Sequence, residues 1–434
     1  GTCATGAGSM HNSPKHAMHR RTLLVVPFAL YLVACGSGLG RGAVELPASI
    51  PLSESTPRPL AHDFDVEHYD IELAFDHETL RYEGAVTMRA SALVSRLRCV
   101  RVHADPSVEV PRAWRTETPD VPLTITRDGD VLTACGDDRL DGDEPFSVTF
   151  AFAGAPSPRD HYGAFVVEPA DDRLPMLFTQ FESQGARRML PVYDEPFDKA
   201  TTTVRLTGDA RYSLLSNGVI VEQTTEDGQR TVRWNNTDPI SPYLITFVIA
   251  ELERLDGAYD RPDGTTVPIT VYTEPGRRDD GAYTLESILS SMAFFEDAFG
   301  MAYPWETYAV VAVPGFRYGG MENKGLANLA ASRVHFTSED PMTNQYGIYG
   351  LVAHELAHEW FGNLITMQWW SDLWLNEGFA SFMDTAAFRH EFGPLRSQLG
   401  QFYGLQRWYM PLERGPFSHP IVHGDYASTE ELFD

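Results

Sequence analysis

The feature that most restricts how this chain can fold is a change in the spacing of its apolar residues near position 254. Before that point apolar and polar residues alternate. Tyr69, Ile71, Leu73 and Phe75 are interleaved with Asp70, Glu72 and Asp76, so one face can be buried and the other wetted, as in a half-buried strand. Gly84-Ala85-Val86-Thr87-Met88 continues in the same mode. Val219 to Gln223 and Thr231 to Trp234 flank Asp227-Gly228, a pair that takes the positive φ values of a hairpin turn. Tyr243 to Ile249, after Pro242, is a nearly continuous apolar run and predicts a buried strand. Beyond 254, Leu285, Ile288, Leu289, Met292, Phe295 and Phe299 follow helical spacing, and Gly300 stands where a C-terminal cap belongs. The pattern predicts a multidomain α+β chain: an all-β domain of sheet packed on sheet over 61–253, then a mixed domain over 254–434.

The 434 residues are 43% hydrophobic, enough to fill two or three cores and unlike a disordered chain. A formal net charge of −26 opposes binding to nucleic acid, which needs a basic footprint. The first 35 residues read as an address. Arg20 and Arg21 precede the short apolar run Leu23 to Ala34, which is too brief to cross a bilayer and suits a signal peptide. The ending Leu32-Val33-Ala34-Cys35 resembles a bacterial lipoprotein signal, in which the cysteine carries lipid and anchors a soluble domain to a membrane surface. That implies export to the periplasm, with Gly36 favouring the outer membrane. Residues before Met18 read as an upstream extension, and residues 36–60, rich in Gly, Ser and Pro, as a flexible tether. Cys99 and Cys135 fall in strand-like segments, and either a disulfide in an exported protein or two buried thiols fits them.

The chemistry concentrates after residue 350. His354-Glu355-Leu356-Ala357-His358 lies in a Gly-bounded apolar stretch. On a helix, positions four apart share a face, so both imidazoles can reach one ion. Zinc suits imidazole nitrogens and tetrahedral coordination with one open position. Glu355, beside the first ligand, is placed to take a proton from water activated at the metal. Trp374-Leu375-Asn376-Glu377-Gly378-Phe379-Ala380 offers a third ligand in Glu377, which begins a second helical stretch ending near Gly393-Pro394. Asp384, two turns later, is a candidate acceptor for a ligand imidazole.

With Glu377 following His354-Glu355-Leu356-Ala357-His358 after 18 residues, the chain resembles the M1 family of zinc aminopeptidases. Gly319-Gly320-Met321-Glu322-Asn323 resembles that family's GAMEN signature, with Gly320 in place of Ala. Thr179-Gln180-Phe181-Glu182, Ala186-Arg187-Arg188, Pro191 and Asp194-Glu195-Pro196 match a second family stretch, and Ser241-Pro242-Tyr243-Leu244 a third. The resemblance runs from about residue 64 to the end. It implies a saddle-like β sandwich followed by a thermolysin-like α/β zinc peptidase domain. It also implies one zinc ion held by His354, His358 and Glu377, with Glu355 as general base. Glu322 and Glu182 would anchor a free α-ammonium, and main-chain groups of Gly319 and Gly320, with Met321 and Asn323 beside them, would pair with the substrate backbone. Tyr318 is a candidate wall of the first side-chain pocket. The implied substrates are peptides with a free N-terminus.

The resemblance also implies an oxyanion-binding tyrosine, expected just beyond Asp434; Tyr403, Tyr409 and Tyr426 do not match its context. The chain therefore reads as a C-terminally truncated member of low activity. Two other readings fit the motifs: a thermolysin-type endopeptidase, which does not need Glu182 and Glu322, and a non-catalytic binding module on the same fold.

Overall fold

The structure, a computed structural model, describes residues 59–156, 162–169, 172–261, 263–414, 420–422, 424, 426 and 428–433. The signal-like segment, Cys35 and nearly all of the 36–60 tether lie outside the described residues.

The alternating front half forms three sheets. The largest has seven strands, ordered in space Val219–Glu226, Gln229–Ile240, Ala200–Asp209, Phe64–Asp76, Arg81–Ala92, Pro145–Gly154 and Glu109–Arg115. Its one parallel pairing joins Phe64–Asp76 to Ala200–Asp209. Tyr69, Ile71, Leu73 and Phe75 are buried on one face, as their period of two requires. Asp227 and Gly228 have φ of 50° and 78°, the turn geometry that matches strand twist in a two-residue hairpin. A four-stranded sheet is ordered Ser213–Ser216, Phe247–Ala250, Met176–Gln180 and Gly163–Val167. A three-stranded sheet sets Cys99 opposite Cys135, and the two form a disulfide. One apolar cluster runs through all three sheets.

The apolar run at 243–249 is not one strand. Pro242–Leu244 is a single 3₁₀ turn, and the strand begins at Phe247. The proline at its first position pre-sets the turn's φ and cannot donate to a ladder, so burial alone misread this segment.

From Glu253 onward a mixed five-stranded sheet follows, in the order Glu253–Asp260, Thr266–Thr273, Tyr308–Val313, Leu326–Ala330 and Gly320–Met321. Helices α1 (Ala282–Phe299) and α2 (Met342–Ala357) pack with it, α3 (Trp374–Phe392) packs on those two, and α4 (Pro394–Gly404) packs on α3. Helix α1 ends on Gly300 at φ 62°, the left-handed cap that glycine accepts without strain. A second apolar cluster lies between α1, α2, α3 and this sheet, with Ile288, Met292, Phe295, Val352, Leu356 and Ala380 in it.

The two halves are stitched by buried polar contacts. Lys324 Nζ donates to Asn236 at 2.6 Å and to Asp238 at 2.8 Å, while Asn217 donates to the Lys324 carbonyl at 2.9 Å. Such contacts fix one mutual placement because each buried donor left unpaired is costly.

Candidate functional site

Helix α2 carries the His-Glu-x-x-His segment at its C-terminal end. The helix stops at Ala357, so His358 is its cap residue rather than an interior one. The chain then turns through Gly362 at φ 130°, where a Cβ would meet the Asn376 amide at 3.1 Å and His358 Nδ1 at 3.4 Å. Glycine is needed there for both conformation and room.

His354 and His358 turn their Nε2 atoms toward each other at 3.1 Å. Glu377, on the first turn of α3, places its carboxylate 3.4 Å from His354 Nε2 and 3.8 Å from His358 Nε2. The far sides of both rings are engaged. His354 Nδ1 donates to Asp384 at 3.2 Å, and His358 Nδ1 donates to the Phe361 carbonyl at 3.0 Å. Those bonds put the ring protons on Nδ1 and leave the Nε2 lone pairs facing one another and a carboxylate. Two imidazole lone pairs and one carboxylate converging on one point call for a cation, and the donor set suits zinc. The residues therefore fit the metal.

Without a metal, the same residues share protons to relieve the crowding. Burial would lower both imidazoles and raise Glu377. At His354 the bonds from Asp384 and Glu377 outweigh burial and raise its pKa well above the ordinary value. At His358 burial prevails and the pKa is lowered. The two imidazoles in turn pull Glu377 below the usual carboxylate range despite its burial.

Three more carboxylates share the cavity. Glu355 is buried, and its pKa is pushed up to about 8 by desolvation, against the pull of His354 and His358. Glu322, in the turn after strand Gly320–Met321, is raised to about 8 by burial and by Glu377. Glu182, contributed by the front half, is raised well above its ordinary value by burial, then by Glu322. Glu182, Glu322 and Glu377 each place a carboxylate oxygen within 4.8 Å of the others. Glu182 Oε1 and Glu322 Oε1 are buried with no hydrogen-bond partner among the described residues. Such a cluster is costly unless a cation enters it.

The strand edge lies directly over Glu355. A Cβ on Gly320 would fall 1.8 Å from Glu355 Oε1, so the missing methyl is the space the carboxylate fills. Gly319 has φ 93°. Met321 is buried, and its sulfur accepts from Gln180 Nε2 at 3.1 Å. Asn323 is fully buried and does not line the cavity; it belongs to the turn beneath, where its carbonyl accepts from Leu326 N at 2.9 Å. All of these except Met321 and Asn323 line one cavity of about 750 Å³, together with Tyr162, Tyr318 and Asp384. The rings of Tyr162 and Tyr318 are stacked, with centroids 6.3 Å apart.

Glu359 and Asn363, which support the site, carried no sequence signal. Glu359 is fully buried and accepts from Trp305 Nε1 at 2.5 Å, Gly325 N at 2.9 Å and Asn363 at 3.0 Å. Asn363 also donates to the Glu322 carbonyl at 2.8 Å. This network ties the end of α2 to the turn that presents Glu322. Its acidic member, next to His358, reads in sequence as an ordinary helical glutamate. Tyr243, from the matched Ser-Pro-Tyr-Leu segment, accepts from Asn376 at 3.0 Å, one residue before Glu377.

Comparison with known proteins finds matches to both halves of the chain. A family model described as the peptidase M1 N-terminal domain matches residues 65–244, and one described as the peptidase family M1 domain matches residues 283–434. Human endoplasmic reticulum aminopeptidase 1 is 35% identical over 298 residues, covering 67% of this chain and 31% of that protein. Mitochondrial aminopeptidase 2 of Saccharomyces cerevisiae is 30% identical over 338 residues, 73% of this chain and 33% of its own length. The puromycin-sensitive aminopeptidase of Caenorhabditis elegans is 41% identical over 209 residues, 48% of this chain and 22% of that protein. The chain thus spans about a third of the length of the first of these relatives. With an N-terminal β domain and a peptidase domain both matched in order, the chain belongs to peptidase family M1.

Proposed function

We propose that this chain carries the catalytic site of a zinc-dependent aminopeptidase, which removes the first residue from peptides with a free N-terminus. The observation that carries the reading is the placement of two buried carboxylates, Glu182 and Glu322, each with one oxygen that has no hydrogen-bond partner among the described residues, beside the His354–His358–Glu377 set. An α-ammonium entering between them supplies the cation the cluster lacks and lowers both carboxylates back into their charged range. It also fixes the distance from the chain end to the metal, which makes an exopeptidase of a generic hydrolase.

His354, His358 and Glu377 would hold one zinc ion, which when bound supplies Lewis acidity at the first peptide carbonyl and at water. Asp384 and the Phe361 carbonyl orient the two imidazoles. Glu355 takes the proton from water and delivers it to the leaving amine, and its burial raises its proton affinity toward the range that both transfers need. The edge at Gly319 and Gly320 offers main-chain groups to the substrate backbone. Helix α2, with the strand edge above it, excludes solvent from one side of Glu355.

The experiment is N-acetylation of an otherwise good peptide ligand. Blocking the amine should abolish cleavage, and it should weaken binding to a Glu355→Gln variant. Retained cleavage of the blocked peptide would instead favour an endopeptidase. Replacing Glu355 by Ala should remove turnover and keep stoichiometric zinc, whereas metal loss would give Glu355 another role.

The N-terminal segment supports a second part of the proposal: export and lipid attachment at Cys35, anchoring the enzyme to a membrane surface. Labelling of cells with a radioactive or alkynyl fatty acid, with Cys35→Ser as the control, tests it.

A further inference from the structure

The cavity has a polarity that can be read along helix α2. Gly347, Gly350, Leu351, His354 and His358 lie on one face of that helix, three or four residues apart. The strand edge runs beside it in matching order. Glu322 lies 4.0 Å from His358, Gly320 abuts Glu355, and a Cβ on Gly319 would touch Leu351 at 4.0 Å. The two carboxylates that take the amino terminus therefore stand at the His358 end. A peptide held there has one direction in which to continue: past Glu355 toward Leu351 and Gly347.

At that far end the charge reverses. Five carboxylates line the cavity, from Glu182, Glu322, Glu355, Glu377 and Asp384, and two arginines, Arg317 next to Tyr318 and Arg333, which forms the wall beside Gly347. The Arg333 guanidinium lies against the helix at Gly347, whose missing side chain leaves it room there. Arg333 is exposed and has no ion-pair partner among the described residues. Gly347 is seven residues from His354, or about 10 Å of helix. An extended peptide advances about 3.3 Å per residue, so about three residues beyond the scissile bond span the distance.

We infer that Arg333 is the acceptor for a peptide carboxylate two to three residues downstream of the scissile bond, so that this site favours short acidic-ended peptides of three to four residues. The inference rests on the aminopeptidase reading, because that reading sets which end enters first.

The test uses the zinc-loaded protein with Glu355→Gln, so that ligand is not consumed, and calorimetry with four tetra-alanine probes. These are the free acid, its C-terminal amide, the amide with Glu at the fourth position, and the N-acetylated acid. With Arg333 present the acid should bind about three- to fivefold tighter than the amide at low salt, the range of one exposed ion pair. The ratio should fall toward one in Arg333→Gln and at high salt. A gain carried by the Glu-bearing amide alone assigns the carboxylate to a side chain rather than the chain end and still supports Arg333 as its acceptor. Equal binding of acid and both amides, or a preference that survives Arg333→Gln, overturns the inference. Equal binding of the acetylated and free peptides overturns the aminopeptidase reading instead.

Discussion

At the scale of single residues, the site is a set of charges held apart by hydrogen bonds on their outer sides. Asp384 is the sharpest case. It grips His354 Nδ1 at 3.2 Å and so aims Nε2 inward. Asp384→Asn should weaken zinc binding about 10- to 100-fold, the usual cost of losing such an outer partner. Chelator competition measures it, and an unchanged zinc affinity would show that the Phe361 carbonyl and helix geometry suffice to aim the ligands. The sequence placed Asp384 on the right face of its helix, because two helical turns return to one side. It could not show that the carboxylate reaches the imidazole rather than water.

At the scale of elements, the strand edge and helix α2 meet with no space to spare. Gly320→Ala is tolerated by the backbone but puts a methyl into the Glu355 carboxylate. The carboxylate must then swing away, so kcat should fall by one to two orders of magnitude with zinc content unchanged; a one-ångström misplacement near the chemistry costs about that much. Wild-type kcat in the variant would mean that Glu355 reaches its working position from either rotamer. The sequence showed this glycine as a departure from the family signature and gave no hint of the neighbour that needs it. Tyr243 is the other link between elements. It is fully buried, packs edge-on against Trp370 at 5.4 Å and accepts from Asn376 at 3.0 Å. Tyr243→Phe leaves a buried amide short of an acceptor, which costs about 1–3 kcal/mol. The expected drop in stability is read by urea denaturation of the metal-free protein, and an unchanged midpoint would mean that Asn376 finds another acceptor.

For the whole molecule, pH acts through two carboxylates that do not line the candidate site. Asp198 and Glu195 are both raised to about 8, chiefly by burial; the backbone N–H groups of Val66 and Leu60 oppose the shift. Their ordinary values are near 4, so between pH 4 and 8 the folded protein holds protons that the unfolded chain has released. Their contribution is therefore full below pH 4 and is lost as pH rises toward 8, at about 1.4 kcal/mol per pH unit for each retained proton. Asp198→Asn should flatten the fall of Tm with pH over that window. A slope identical to wild type would show that Asp198 is already ionised when folded. Metal loading acts in the other direction: because zinc binds only the assembled ligand set, EDTA should lower Tm by several degrees, and no shift would mean that the site does not hold the ion tightly.

What the sequence determined by itself was local and periodic. Alternation along 69–75 set a strand, three- and four-residue spacing along 285–299 set α1, and Asp227-Gly228 set a hairpin, because each depends only on neighbours along the chain. His354, Glu355 and His358 were legible for the same reason: one turn of helix brings them together. Motif order then brought in Glu377, Glu322 and Glu182. Tertiary structure alone decided the rest. The 3₁₀ turn at Pro242–Leu244, the Gly320–Glu355 contact, the Tyr243–Asn376 bond and the reach of Arg333 to Gly347 join residues from 14 to 133 positions apart or depend on burial from several sides. No periodicity encodes such pairings, because they arise only when separate elements pack and each buried polar group must find its partner in space.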